Sequence, residues 1–182
     1  MVLEDYPLKF DKMIIDEDGQ LVGGSKQGIS IHSDLGWRTI RPGTLNSVID
    51  ENLYDWTEMI IDTLDYIGNG VVEDIVTDLS GNKYFSIQGR GVFSYNAGNP
   101  EGSIFYSPRY AVIEPTLDSD DSSYTLPAQM AVDSKNNVWI TTKLVSEGGS
   151  GITILGQDGE INHIRQFQGG LESRTIKSIA ID

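Results

Sequence analysis

Apolar positions along this chain come in short runs of three to five residues, broken by turn residues, and one such pattern recurs. A brief apolar run is followed by Asp-x-x-Gly or Asp-x-x-Asn, a second brief run, and then Gly with an alternating run. The first copy reads Met13-Ile14-Ile15-Asp16-Glu17-Asp18-Gly19, then Leu21-Val22-Gly23-Gly24-Ser25, then Gly28-Ile29-Ser30-Ile31. The second reads Ile75-Val76-Thr77-Asp78-Leu79-Ser80-Gly81, then Lys83-Tyr84-Phe85-Ser86-Ile87, then Gly91-Val92-Phe93-Ser94. The third reads Met130-Ala131-Val132-Asp133-Ser134-Lys135-Asn136, then Val138-Trp139-Ile140-Thr141-Thr142, then Gly151-Ile152-Thr153-Ile154. A fourth copy begins at Ser178-Ile179-Ala180-Ile181-Asp182. Runs this short and β-rich exclude a helical solenoid and predict strands joined by tight turns.

Each copy reads as a β-meander. The Asp side chain can accept hydrogen bonds from backbone N–H groups ahead of it, and Gly supplies the positive φ that closes the turn. Asn136 stands in for Gly in the third copy, as the next-best residue for that conformation. Val22, Tyr84 and Trp139 share one position of the second strand, where a large flat side chain would fill space between neighbouring sheets. In the third strand of the first copy, Ile29 and Ile31 face one way and Ser30 and His32 the other. A further turn, Ser33-Asp34-Leu35-Gly36 or Gln157-Asp158-Gly159-Glu160, leads to an outer strand, Trp37-Arg38-Thr39-Ile40 or Ile161-Asn162-His163-Ile164.

Four strands per copy, with anchoring Asp residues roughly 50–60 apart, approach the roughly 40–50 residues of a propeller blade with room for insertions. The expected fold is therefore all-β: a β-propeller of four-stranded antiparallel blades, about three blades plus the first strand of a fourth. The expected organisation is a single partial propeller over 1–182, with blades near 6–45, 70–112 and 124–168, the next starting at 174–182, and an insertion at 46–69. Because propellers close with about 4–8 blades, the chain is expected to be part of a longer one, or a half-ring that closes with a second copy.

The run Gly19-Gln20-Leu21-Val22-Gly23-Gly24-Ser25-Lys26-Gln27-Gly28-Ile29-Ser30-Ile31, with Trp37 after the next turn, resembles the two-component regulator propeller repeat. Asn136-Asn137-Val138-Trp139-Ile140-Thr141-Thr142 keeps that family's Trp but has Thr141 where Gly is usual, and 170–182 looks like its blade-to-blade connection. Related NHL and streptogramin-lyase propellers share much of the pattern. The resemblance implies a non-catalytic ligand-sensing or protein-interaction propeller, similar to the extracytoplasmic sensor region of a hybrid two-component regulator. The implied location is periplasmic or extracellular, and the implied partners are a carbohydrate or other small ligand, or a protein. A propeller hydrolase or lyase of the streptogramin-lyase or lactonase type is the alternative from another class. A structural module of a secreted assembly is the third.

Two segments fall outside the repeat. Within the insertion, Leu53, Trp56, Ile60, Leu64 and Ile67 recur at three- and four-residue spacing, which fits one face of a helix; Ile60-Ile61 and Thr63 equally suit an outer strand followed by a loop. The segment Asp118-Ser119-Asp120-Asp121-Ser122-Ser123 gathers carboxylates that could attract calcium, but it lacks the ordered spacing of a calcium loop and reads as a solvated acidic loop. No cofactor is expected.

Composition narrows the chemistry. The 182 residues carry 13 Lys+Arg against 27 Asp+Glu, for a formal charge of −14, and no Cys. Such an acidic balance argues against nucleic acid, which needs clustered cations, and against an anionic membrane surface. The lack of Cys excludes disulfides and thiolate metal sites. The first residues show neither the basic nor the apolar region of a signal peptide, and no apolar stretch has the length of a membrane span. His32 falls at the end of a third strand and His163 in an outer strand, away from the inner strands where propeller enzymes place a general base; both read as exposed strand histidines. Glu147-Gly148-Gly149-Ser150-Gly151 opens no helix and reads as a loop, not a phosphate cradle. The loops joining second and third strands share one end with the inter-blade connections. They carry Lys26, Gln27, Gln88, Arg90 and Lys143, and a connection carries Arg174. Four of the 13 basic residues thus gather at one end of an acidic chain. They are the candidate ligand-binding residues, with Arg suited to bidentate pairing with an acidic or hydroxylated ligand.

Overall fold

The structure, a computed structural model, describes residues 9–25, 28–33, 36–40, 71–96, 104–106, 112–116, 124–167 and 171–181. The helix-or-strand question over 46–69, the acidic segment 118–123, and candidates Lys26 and Gln27 lie outside them. Each repeat forms one antiparallel four-stranded sheet with its strands in chain order. The first holds β1 (Lys12–Ile15), β2 (Leu21–Ser25), β3 (Gly28–Ser33) and β4 (Gly36–Ile40). The second holds β5 (Val72–Thr77), β6 (Lys83–Ile87), β7 (Gly91–Tyr95) and β8 (Ile104–Tyr106). The third holds β9 (Pro127–Val132), β10 (Val138–Thr142), β11 (Ser150–Leu155) and β12 (Ile161–Arg165). These are propeller blades, and we number them 1 to 3.

The turns form as the local chemistry dictates. Asp78 Oδ1 accepts the N–H groups of Ser80 and Asn82 at 2.8 and 2.9 Å, and Asp133 Oδ1 accepts those of Lys135 and Asn137, both at 2.9 Å. Gly19 and Gly81 take φ of 76° and 85°, and Asn136 takes 65° in their place. Asn136 also does what Gly could not. Its Oδ1 accepts Leu79 N–H at 2.5 Å and its Nδ2 donates to Ser80 Oγ at 3.1 Å, tying the turn of blade 3 to the turn of blade 2.

Two apolar seams hold the blades face to face. Val22, Ile29 and Ile31 of blade 1 pack with Val72, Ile75, Phe85, Phe93 and Phe105 of blade 2. Tyr84 and Val92, on the opposite face of blade 2, pack with Met130, Val138, Ile140 and Leu155 of blade 3. β6 is therefore buried on both faces, with Phe85 toward blade 1 and Tyr84 toward blade 3, so its side chains alternate between two cores rather than between core and water. Val22 and Tyr84 fill the seams as their shared position predicts. Trp139 is half-buried and donates from Nε1 to Asp133 Oδ2 of its own turn at 2.9 Å.

The first strands of the three blades lie side by side and are stitched by polar side chains. Asp74 on β5 pairs with Lys12 Nζ of β1 at 3.1 Å and accepts Met130 N–H of β9 at 2.9 Å. Ser86 Oγ donates to Ala128 O of β9 at 2.7 Å. These contacts satisfy backbone groups on the inner edge of β9 that would otherwise be bare. At the other end of seam 1–2, Lys83 Nζ pairs with Asp16 Oδ2 at 2.9 Å. Residues 171–181 follow blade 3 without strand pairing. Ile179-Ala180-Ile181 has no hydrogen-bonded neighbouring strand among the described residues, which is the partner a first strand requires.

Candidate functional site

The end of the blades bearing the second-to-third-strand loops is where the sequence places its candidates, and inter-blade connections are laid directly across those loops. Gly89 N–H donates to Thr125 O at 2.7 Å and Lys143 N–H to Leu126 O at 2.9 Å, so the connection into blade 3 straddles the β6–β7 and β10–β11 loops. One step on, Val145 N–H donates to Arg174 O at 3.2 Å and Ile176 N–H to Thr142 O at 3.3 Å. Loops and connections form one continuous surface.

Gln88 and Lys143, from loops of two different blades, meet at one carboxylate. Glu73 Oε1 receives Gln88 Nε2 and pairs with Lys143 Nζ at 3.3 Å. Both charged side chains are about a quarter exposed, at 27% for Glu73 and 25% for Lys143. This pair is therefore wet enough to exchange partners, unlike a sealed core ion pair. Glu73 reaches this end because β5 is bulged: Val72 pairs with Ile87 and Asp74 with Ser86, leaving Glu73 as the extra residue. A bulge re-aims the side chain it frees. Sequence reasoning missed Glu73, although two adjacent acids inside the apolar run Val71-Val72-Glu73-Asp74-Ile75-Val76 were the available signal.

The other candidates are placed differently. Arg90 is 7% exposed and interacts within the protein, so it does not project from the loop. Arg174 is exposed on the connection, where its carbonyl anchors Val145. Glu147-Gly148-Gly149 forms the β10–β11 loop, closed by Gly149 N–H to Ser146 O at 2.8 Å.

The histidines stand apart from the inner strands. His32, at the end of β3, is exposed and packs edge-on to Trp37 at 4.9 Å. His163, in outer strand β12, is half-buried rather than exposed, because Thr153 Oγ1 lies 3.3 Å from its Nδ1 and draws the ring onto the sheet. Burial, aided by the Arg165 charge and opposed by Glu114, holds its pKa below the ordinary histidine value. Burial also pushes the Tyr84 hydroxyl far up, with Tyr106 and Asp78 adding to the rise, so it stays a donor to Asp78. Among the described residues, no group of three or more His, Cys, Asp or Glu side chains is arranged to hold a metal, and no helix is long and apolar enough to cross a membrane.

No protein-family model and no curated protein matches the chain. Among solved structures it is similar to a catalytically inactive virginiamycin B lyase from Staphylococcus aureus with quinupristin, at 14% identity and TM-score 0.50, covering 90% of this chain and 43% of that one. It is also similar to the extracellular domain of the proposed hybrid two component system BT3049 from B. thetaiotaomicron, at 20% identity and TM-score 0.46, covering 92% and 16%. A third is the extracellular domain of the proposed one component system BT4673 from the same organism, at 16% identity and TM-score 0.33, covering 85% and 23%. The chain spans less than half the length of each. At 14% identity and TM-score 0.50, the likeness to the lyase is one of fold.

Proposed function

We propose that the protein is a non-catalytic recognition propeller that senses a ligand or docks a partner, in the manner of the extracytoplasmic sensor region of a hybrid two-component regulator. The observation that carries this reading is the Gln88–Glu73–Lys143 cluster. It joins three chain segments and two blades at the loop end, while remaining a quarter exposed. Such a cluster offers a donor, a cation and an acceptor within one small area, which suits a hydroxylated or acidic ligand such as a carbohydrate. The periplasmic or extracellular location belongs to the same proposal and is supported by the repeat's resemblance. Further blades or a second copy would complete the ring. The face of blade 1 bearing Met13 and Ile15, 49% and 73% exposed, is where a neighbouring blade would seat.

The test is a glycan array probed with the wild type and with Glu73→Ala and Lys143→Ala. Binding that either substitution weakens at least tenfold supports the reading. Binding to no glycan, or binding that both substitutions leave unchanged, overturns it for this site. Turnover of a streptogramin or a lactone by the wild type would replace it with the hydrolase or lyase alternative.

A further inference from the structure

Gly89, in the β6–β7 loop, takes φ 78°. Gly19 and Gly81 take similar left-handed angles in open space, where a Cβ would meet nothing within 4 Å. At Gly89 a Cβ would lie 2.7 Å from Tyr124 Cε2, and 3.3 and 3.5 Å from Cδ2 and Cζ. The left-handed backbone alone would admit Asn, as Asn136 shows. The Tyr124 ring fills the space a side chain would need, so glycine is what fits against it.

The apolar core makes no use of that ring. Tyr124 belongs to neither seam and is half-buried. The fold uses its backbone instead. Thr116 donates to Tyr124 O from its N–H at 2.9 Å and from Oγ1 at 3.3 Å. The next residue, Thr125, is fully buried; its Oγ1 donates to Glu114 O at 2.7 Å, and its O accepts Gly89 N–H at 2.7 Å. None of these bonds needs an aromatic side chain at position 124. They hold the ring on a fixed backbone, and tyrosine has few rotamers to freeze when something binds it.

The ring borders the polar cluster of the loop end. Gln88 immediately precedes Gly89, and Leu126, two residues after Tyr124, accepts Lys143 N–H at 2.9 Å. Residues 124–126 thus run from the β6–β7 loop of blade 2 to the β10–β11 loop of blade 3, over the seam where Gln88 and Lys143 meet Glu73. That cluster carries no surplus charge. Glu73 offsets Lys143, and neighbouring Asp74 offsets Lys12. Glu147, further along the β10–β11 loop, is exposed, and the chain's charge is −14. An anionic ligand would meet repulsion here rather than steering.

We propose that Tyr124 is the stacking platform of this site and that the ligand is an uncharged sugar in its pyranose form. The face of an aromatic ring is electron-rich. The weakly positive C–H groups on one side of a pyranose ring would lie against it. Hydroxyls on the rim of the sugar would donate to Glu73 and accept from Lys143 and Gln88. The proposal rests on the reading of the loop end as the recognition site, and it narrows the ligand from hydroxylated or acidic to neutral and cyclic.

The experiment is a glycan array of neutral and acidic sugars probed with the wild type, Tyr124→Phe, Tyr124→Leu and Glu73→Ala, with saturation-transfer NMR on the glycans bound. Neutral glycans should dominate. Tyr124→Phe keeps the ring and should bind like the wild type. Tyr124→Leu should keep the melting temperature and weaken binding about tenfold or more, as loss of an aromatic anchor does. Transfer should be strongest at the C–H protons of one sugar face. Glycan binding that Glu73→Ala weakens but Tyr124→Leu leaves unchanged overturns this inference alone. So does a Tyr124→Phe variant as weak as Tyr124→Leu, since the hydroxyl and not the ring would then be the contact. A preference for acidic glycans overturns the ligand class. Should Tyr124→Leu unfold the protein, transfer spread evenly over the sugar protons of the wild-type complex overturns the platform. Binding to no glycan overturns both this inference and the reading on which it rests.

Discussion

Lys83 and Asp16 form the most deeply buried ion pair described in the protein. Their side chains are 5% and 1% exposed, with Nζ 2.9 Å from Oδ2. Asp16 is poorly supported otherwise: its Oδ1 accepts Gln20 N–H at 2.7 Å, and its Oδ2 is left to Lys83. By contrast, Asp133 Oδ2 is met by both Asn137 Nδ2 and Trp139 Nε1. Lys83→Met keeps most of the stem's volume and removes only the charge, leaving a buried carboxylate without its counterion. Removing one partner of a buried pair costs about 3–5 kcal/mol. At about 2–4 °C per kcal/mol for a chain of this size, the melting temperature should fall by roughly 6–20 °C. Asp16→Asn on top of Lys83→Met should recover most of that loss, because Asn retains an acceptor for Gln20 N–H and carries no charge. The slot tolerates an apolar side chain: blade 3 has Val138 at the matched position, 1% exposed. Urea unfolding followed by tryptophan fluorescence gives both numbers, and a sealed pair should show the same loss in 0.1 and 1 M salt, roughly, since screening reaches exposed charges. A single variant within about 0.5 kcal/mol of wild type, or a double variant no better than the single, would refute the reasoning.

Three further outcomes are expected. Asn136→Gly keeps the left-handed turn but loses two bonds to blade 2, at about 1–2 kcal/mol, and Asn136→Ala should cost about 1 kcal/mol more from its φ of 65°; equal urea midpoints for the two variants would remove the backbone part of the argument. For Asp133, burial raises the pKa, but bonds from the Trp139 ring, Asn137 and Lys135 outweigh it and hold the carboxyl at about 2. A folded value below the unfolded one of about 3.9 means stability is complete above about pH 4 and is lost as pH falls toward 2. Trp139→Phe should therefore raise the Asp133 pKa in a carboxyl NMR titration. For His163 the folded pKa also lies below the unfolded value, so the neutral ring is favoured in the fold and stability falls as pH drops below about 6.5. His163→Gln should flatten melting temperature against pH across that window, and an unchanged slope would show that His163 is not the group responsible.

The legible part of the molecule is the part governed by a few consecutive residues. Asp16, Asp78 and Asp133 announce their turns because the acceptor and the left-handed residue sit within four positions, and even the exchange of Gly for Asn136 obeys the same backbone requirement. The seams obey no such window, since the partner of each residue lies a whole blade away. Gly24, Ser86 and Thr141 occupy matched positions and do three different things. A Cβ on Gly24 would lie 2.6 Å from the Val72 methyls, so Gly24 admits close approach; Ser86 bonds Ala128 O of the next blade; Thr141 bonds Gln129 O of its own sheet. The loop-end site is hidden for a related reason. Gln88 and Lys143 could be named from loop position, but Glu73 joins them only because an extra residue in β5 shifts it out of the alternation by which strand faces are read. The repeat thus encodes the sheets and even the first-strand bulge, which recurs in β9 opposite Ile140 and Thr142, but not the partner that Glu73 meets across the seam in Lys143 of the next blade.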